Sequence, residues 1–322
     1  MEKIPIIAVV GPTASGKTGL AVALAKRFDA EILSFDSMQL YKGMDVATAK
    51  PTTEEMQGIP HHMIGCVDNT EVFSVAKYRD AATEIIDDIT ARGKRVVMVG
   101  GTGLYLDAVL DNIEFLDDPE GEEKRMKVRR ELEDELEEKG REAMHAKLAE
   151  IDPKTAEILH VNNTGRVLRA LEVYYTTGHT ISYQVEHSKD NESRYAPVLI
   201  GLTAKNRQVL YDRINARVDR MLEEGLLDEV RAYVNEAPGT TARQAIGLKE
   251  LAPYVEGRAS LETCVFFLKQ ETRRYAKRQL TWFRRNEKVH WLFIDEMSQD
   301  EIADEAEKII REEESQWQHQ TS

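Results

Sequence analysis

The segment Gly11-Pro12-Thr13-Ala14-Ser15-Gly16-Lys17-Thr18 constrains this chain more than any other. It has the spacing G-x-x-x-x-G-K-[ST]. It stands between a β-branched run, Ile4 to Val10, and a stretch in which Leu20, Leu24 and Phe28 share one helical face. Strand, loop and helix in that order make an anion site. Glycines let successive backbone N–H groups turn inward around a phosphate, and the first turn of the helix leaves its own N–H groups free to join them. Lys17 brings a full positive charge to the outer phosphate, and the Thr18 hydroxyl suits Mg²⁺. Gly11, Pro12, Thr13, Ala14, Ser15, Gly16, Lys17 and Thr18 are therefore the expected di- or triphosphate site. The loop does not say what the polyphosphate is attached to, so ATP is only one candidate.

The rest of the chain extends this pattern. Glu31 to Phe35 reads as a second strand, Val75 to Ala91 as a helix, and Arg95 to Val99 as a strand ending in Gly100-Gly101-Thr102-Gly103. Strand–helix alternation with glycines at strand ends predicts an α/β, P-loop NTPase-like doubly wound parallel sheet. Ligands of such sheets gather at the carboxyl ends of strands, where Gly11–Thr18, Asp36–Gln39 and Gly100–Gly103 fall. The texture changes after about Phe115. Gly121 to Ile151 is dense in charge, with Val128, Leu132 and Leu136 at i+4 steps, then Met144 and Leu148. Asp152 before Pro153 is a helix start, and Asn163-Thr164 opens another helix that stops near Gly178. Strand character returns at Val198 to Leu202. Tyr211 to Val234 and Leu261 to Arg285 read as helices, and Val289 to Ile294 as a last strand. The expected organisation is a core of residues 1–115 and 196–322 with a small helical insertion domain, 116–195.

Composition narrows the function classes. With 42% hydrophobic and 31% charged residues, 322 residues can bury a core. Two cysteines, Cys66 and Cys264, supply neither a disulfide framework nor a cysteine zinc site. No signal peptide and no apolar run of about 20 residues is readable, so a cytoplasmic protein without membrane contact is expected. The formal net charge of −14 argues in bulk against nucleic acid. One segment runs the other way. From Arg273 to Lys288 the cations are Arg273, Arg274, Lys277, Arg278, Arg284, Arg285 and Lys288 against Glu287, with Tyr275, Trp282 and Phe283 interleaved. That is either a phosphate-tracking helix with aromatics for stacking, or a solvated basic face over ordinary core aromatics. Arg166 and Arg169 could form a second basic arm.

Single residues remain ambiguous on position alone. Asp36, at the end of the second strand, suits a metal shell or a proton acceptor, and equally a turn cap. Arg217 suits a diphosphate or an ion pair. His61-His62 lacks a third ligand and reads as core or turn, and Tyr174-Tyr175 reads as packing.

The ambiguity at Asp36 lifts when longer words are read. Asp36-Ser37-Met38-Gln39-Leu40-Tyr41-Lys42-Gly43-Met44-Asp45 with Thr48-Ala49-Lys50-Pro51 closely resembles the tRNA dimethylallyltransferase family, also called tRNA isopentenyltransferase. The resemblance continues, in family order, through Ile59-Pro60-His61-His62, Gly100–Tyr105, Arg166–Glu172, Arg217-Val218-Asp219, Gly225-Leu226 and Ala245-Ile246-Gly247. It closes at Lys277-Arg278-Gln279-Leu280-Thr281-Trp282-Phe283-Arg284. It implies transfer of a dimethylallyl group from dimethylallyl diphosphate to N6 of the adenosine 3′ of the anticodon. Asp36 is then the general base, while Lys17, Arg217 and Thr18 with Mg²⁺ hold the diphosphate. The tRNA anticodon stem-loop would meet Asp36, Ser37, Met38, Gln39 and Thr102, then Gly165, Arg166, Val167, Leu168 and Arg169. It would also meet Gln244, Ala245, Ile246, Gly247, Leu248 and Lys249, and the stretch Lys277, Arg278, Gln279, Leu280, Thr281, Trp282, Phe283 and Arg284. With no zinc-finger cluster the chain resembles the bacterial form, and a monomer is implied.

The residues alone leave two rivals. A small-molecule kinase would use ATP at the same loop and would not need the basic-aromatic segment. A nucleotide-switched RNA-binding module would form no covalent product and would have no use for a carboxylate over the loop.

Overall fold

The computed structural model describes residues 3–111, 121–188, 193–236, 239 and 241–321. The chain divides into two compact units, Met1–Val109 with Arg194–Ser322, and Leu110–Ser193. The sequence-based boundary near 115 lies outside the described residues.

In chain order the first unit begins with β1 (Ile4–Val10), α1 (Lys17–Arg27), β2 (Ala30–Ser34), α2 (Thr53–Met56) and β3 (His61–His62). It continues with α3 (Val75–Ala91), β4 (Arg95–Val99) and α4 (Gly103–Leu110). The second unit holds α5 (Gly121–Ile151), α6 (Pro153–Ile158), α7 (Thr164–Thr177) and α8 (Ile181–Ser188). The first unit then resumes with β5 (Tyr195–Thr203), α9 (Arg207–Glu223), α10 (Leu226–Glu236), α11 (Leu248–Val255), α12 (Leu261–Phe283), β6 (Val289–Phe293) and α13 (Gln299–Thr321).

The six strands form one all-parallel sheet in the order β3-β2-β4-β1-β5-β6. Ile6 to Val10 are buried without alternation, as a strand covered on both faces requires. Ile7, Val9, Ile32 and Ile200 pack under α1 and α13, through Leu20, Leu24, Ile302 and Ile310. Ile6, Ala8, Leu33 and Met98 point the other way, to the face covered by Tyr78, Ala82, Ile86 and Ile89 of α3. The sheet is therefore doubly wound, as predicted. Because β4 lies between β1 and β2, the segments leaving these three strands open side by side on one edge.

Three details differ from the sequence reading. The single helix expected over Tyr211–Val234 is two, because Gly225 adopts a left-handed φ of 98° between α9 and α10 and ends the first of them. Helix α12 stops at Phe283 rather than Arg285. His61-His62 is a short parallel strand paired with Ile32 and Leu33, too brief to show periodicity in the sequence.

In the helical unit, α5 is broken at Gly140, whose φ of 79° and ψ of 169° are not helical. Leu132, Met144, Leu148 and Ala156 pack against Val167, Leu168, Ala170 and Leu171 of α7. Asp152 starts α6 as expected, accepting from Thr155 N at 3.1 Å and Thr155 Oγ1 at 2.6 Å. Among the described residues no helix is long and apolar enough to cross a membrane.

Candidate active site

The loop after β1 is shaped by its glycines. Gly11 has a φ of 140°, and a Cβ there would stand 2.4 Å from Leu202 O of β5, so no other residue fits without displacing a central strand. Ala14 and Gly16 are also left-handed, at φ 63° and 92°, which curls the backbone into a concave nest. α1 opens behind Gly16 with no side-chain cap, so its leading N–H groups are not spent on a cap. The buried Ser15 hydroxyl has no hydrogen-bond partner among the described residues. Donors thus converge where the sequence places a phosphate.

Two cations stand beside this nest. Lys17 Nζ donates to Pro12 O at 2.7 Å, and Arg217 Nη1, reaching from α9, donates to Thr13 Oγ1 at 3.1 Å. Part of Lys17 reaches the cleft surface, but its amine is enclosed by protein. That desolvation first, and the Arg217 guanidinium second, pull the ammonium down to about 7, against an opposing pull from Asp36. Arg217 is likewise lowered by burial, again opposed by Asp36. The ambiguity over Arg217 resolves toward the loop and not toward a surface ion pair. One turn earlier on α9, Arg213 Nη2 lies 3.6 Å from where a Cβ on Gly16 would be. Sequence reading missed Arg213, although its i−4 spacing from Arg217 puts both on one helix face.

Asp36 follows β2 and forms the turn cap that the sequence allowed. Its Oδ1 caps the turn, accepting from Met38 N at 3.0 Å and Gln39 N at 3.4 Å. Among the described residues no hydrogen bond holds its Oδ2, and Asp36 lines the cleft that also holds Lys17. Thr102 Oγ1 accepts from Ser37 N at 3.1 Å and lies 3.2 Å from Ser37 Oγ, which ties the segment after β2 to that after β4. Tyr275 of α12 lies close by: burial first, then the Asp36 charge, push its hydroxyl well above the usual phenol range. It therefore stays protonated at neutral pH.

Gln279 closes the arrangement. Its Oε1 accepts from Thr13 N at 2.8 Å and its Nε2 donates to Gly101 O at 3.1 Å. A Cβ on Gly101 would lie 1.9 Å from that Nε2, so the close approach depends on the glycine. Further along α12, Trp282 Nε1 donates to Asp107 Oδ2 at 3.0 Å, and the Arg285 guanidinium lies 4.1 Å from the Trp282 ring centroid.

These elements line one open cleft of about 1520 Å³. It brings together Thr13, Ala14, Gly16, Lys17, Thr18, Asp36, Ser37, Met38, Gln39 and Arg217 with Gln244, Ala245, Ile246, Gly247, Lys249, Arg278 and Gln279. Other predicted RNA-contacting side chains are committed elsewhere. Leu248 and Phe283 are buried, and Leu280 packs against Ile214 and Ala276. Lys277, Thr281 and Arg284 are exposed outside the cleft lining. In the helical unit Val167 and Leu168 are core residues, and Arg169 pairs with the buried Glu172. Gly165 and Arg166 stand in the first turn of α7, with Arg166 exposed.

His61 Nδ1 lies 2.8 Å from Ile59 O and His62 Nε2 2.8 Å from Glu31 Oε2, so neither histidine belongs to a ligand set. Among the described residues no cluster of three or more His, Cys, Asp or Glu could hold a metal. Thr18, on the cleft lining beside the loop, carries a hydroxyl that would suit a cation such as Mg²⁺ together with phosphate oxygens and water.

Fold and site together define a P-loop α/β enzyme with a carboxylate, Asp36, on the cleft beside its phosphate loop. Comparison with known proteins gives the particular kind. The sequence profile of the family described as IPP transferase matches residues 39–286. The tRNA dimethylallyltransferase of Acetivibrio thermocellus is 49% identical over 92% of this chain and 94% of its own length. That of Halalkalibacterium halodurans is 47% identical over 96% and 97%. Among solved structures, the tRNA isopentenylpyrophosphate transferase of Bacillus halodurans is 44% identical with a TM-score of 0.70, covering 99% of this chain and 100% of that one. A eukaryotic dimethylallyltransferase acting on tRNA is 30% identical with a TM-score of 0.73, covering 90% and 74%. This chain belongs to the tRNA dimethylallyltransferase family.

Proposed function

We propose that this protein transfers the dimethylallyl group of dimethylallyl diphosphate to N6 of the tRNA adenosine 3′ of the anticodon, with Asp36 as the proton acceptor. The observation that carries this is that Asp36, whose Oδ2 no hydrogen bond holds among the described residues, lines the same cleft as Lys17 and Arg217.

The chemistry explains why such a pair is needed. The lone pair of an exocyclic adenine amine is delocalised into the ring, so it attacks weakly. As the N6–C1 bond forms and the C1–O bond breaks, negative charge grows on the diphosphate and positive charge on N6. Lys17, Arg217 and the inward amides of the loop stabilise the first, and Asp36 relieves the second by taking the proton. Thr18 would hold Mg²⁺ through its hydroxyl, and the ion would supply further charge neutralisation on the leaving group. Arg278 on the cleft, with Lys277 and Arg284 further along the same segment, offers cations to an RNA backbone. A target base must leave its stack to reach Asp36, which an anticodon loop permits at low cost.

The test is incubation with labelled dimethylallyl diphosphate, Mg²⁺ and unmodified tRNA, followed by digestion of the RNA. A labelled nucleoside is expected. ATP turnover with a metabolite and no prenylated nucleoside would replace this reading with a kinase.

A further inference from the structure

The segment after Asp36 has no regular secondary structure from Phe35 to Thr52, yet it lines the cleft. Glu229, in the first turn of α10, holds it. Its Oε1 accepts from Asp45 N at 2.8 Å and Val46 N at 2.6 Å, and its Oε2 accepts from Ala47 N at 2.9 Å. One carboxylate therefore satisfies three consecutive amides from 182 or more residues away in sequence.

The bonds continue from there to Asp36. The carbonyls of Thr48 and Ala49, next to the held amides, accept from Gln39 Nε2 at 3.3 and 3.1 Å. Gln39 Oε1 accepts from Ser34 Oγ at 3.2 Å, and Gln39 N donates to Asp36 Oδ1. Lys50, its side chain almost wholly buried, closes the segment on itself through Tyr41 O and Asp45. Ala49 is left-handed, at a φ of 45°, a conformation that a side chain resists unless its surroundings impose it.

We propose that Glu229 is a positioning residue for the transferase reaction: through this chain of hydrogen bonds it sets the orientation of Asp36 toward the second substrate, while leaving the phosphate loop untouched. The inference rests on the prenyl-transfer reading above. The phosphate loop is held separately, by Gln279, Arg217 and β5. Loss of Glu229 therefore acts on the proton-accepting side of the cleft and not on the diphosphate side. Gln at this position keeps the size and one acceptor oxygen, but turns an NH₂ group toward an amide N–H.

The experiment compares wild type, Glu229→Gln and Glu229→Ala for single-turnover prenylation at saturating tRNA, and for inorganic pyrophosphate affinity by calorimetry. The expected result is a graded fall in rate, reaching about ten- to a hundredfold in the alanine variant, with pyrophosphate affinity within about twofold of wild type in both. A rate in Glu229→Ala equal to wild type would overturn the proposal. So would pyrophosphate affinity falling in step with the rate, the mark of a general structural role. Should the alanine variant not fold, the near-isosteric Glu229→Gln carries the comparison, and hydrogen exchange of wild type gives a second reading. Slow exchange at Asp45, Val46 and Ala47 is expected, and exchange at loop rates would sink the idea. A wild-type enzyme that makes no prenylated nucleoside would refute the transferase reading itself, which keeps the two failures apart.

Discussion

Gln279 holds Thr13 by its backbone amide at 2.8 Å, so a single side chain near the end of α12 fixes the mouth of a phosphate loop 266 residues earlier. The same side chain holds Gly101 O, and it is buried. Replacing Gln279 by Glu puts a carboxylate oxygen against that carbonyl, while Ala leaves the Thr13 amide without its acceptor. A buried polar group left unpaired costs roughly 1–3 kcal/mol. Both variants should unfold at lower denaturant concentration than wild type, and both should bind pyrophosphate more weakly. Equal affinity in Gln279→Ala would show that the loop keeps its shape without the clamp.

Asp36 caps a turn with one oxygen and leaves the other for the proton-accepting task proposed for it, and Asn separates the two. In Asp36→Asn the side-chain oxygen can still cap Met38 N and Gln39 N, but the group no longer accepts a proton. Loss of a positioned base lowers rates by roughly 10²–10⁴-fold. The expected outcome is a fall of that size in prenylation with tRNA binding retained in a filter or gel-shift assay. Turnover within a few-fold of wild type would remove Asp36 as the base.

How much of this was legible beforehand depended on whether the signal was local. The phosphate loop, β1, β4 and α3 were readable because each is a contiguous pattern: a spaced glycine–lysine word, an unbroken apolar strand, a helix-period face. Asp36 was visible with both readings, turn cap and proton acceptor, but its closeness to Lys17 and Arg217 was not, because only the fold brings them together. The break at Gly225 was carried by one residue inside an otherwise helical pattern, which periodicity averages away. The clamping roles of Glu229 and Gln279 were beyond local reading, although the resemblance placed Gln279 among the tRNA-contacting residues. Their partners are backbone amides and carbonyls 184 and 178 positions away, and a backbone atom leaves no mark in a sequence.

Arg213 stands against the outer side of the phosphate loop, one helical turn from Arg217, and no ion pair holds it among the described residues. An exposed guanidinium there suits the distal phosphate of a bound diphosphate. Arg213→Ala should raise the KM for dimethylallyl diphosphate several-fold while leaving the KM for tRNA near its wild-type value. Steady-state kinetics with each substrate varied in turn checks this, and an effect on tRNA alone would place Arg213 on the RNA side of the cleft.

Lys17 gives the diphosphate site a pH dependence whose sign follows from its environment. In the free protein its ammonium titrates at about 7, because burial and the adjacent Arg217 disfavour the charge. A bound diphosphate places negative charge on that amine and raises its pKa. Below pH 7 the lysine is already protonated, so binding requires no proton from this group. Above pH 7 it is largely neutral, so binding must take up a proton and weakens as pH rises, by up to about tenfold per pH unit. Because the ligand titrates too, the comparison is with Lys17→Met. The wild-type advantage in affinity should be largest at mildly acid pH and should shrink toward alkaline pH. Calorimetry in buffers of different ionisation enthalpy should show proton uptake in the wild type that the variant lacks. An advantage independent of pH would mean that Lys17 keeps its charge throughout and that burial does not govern it.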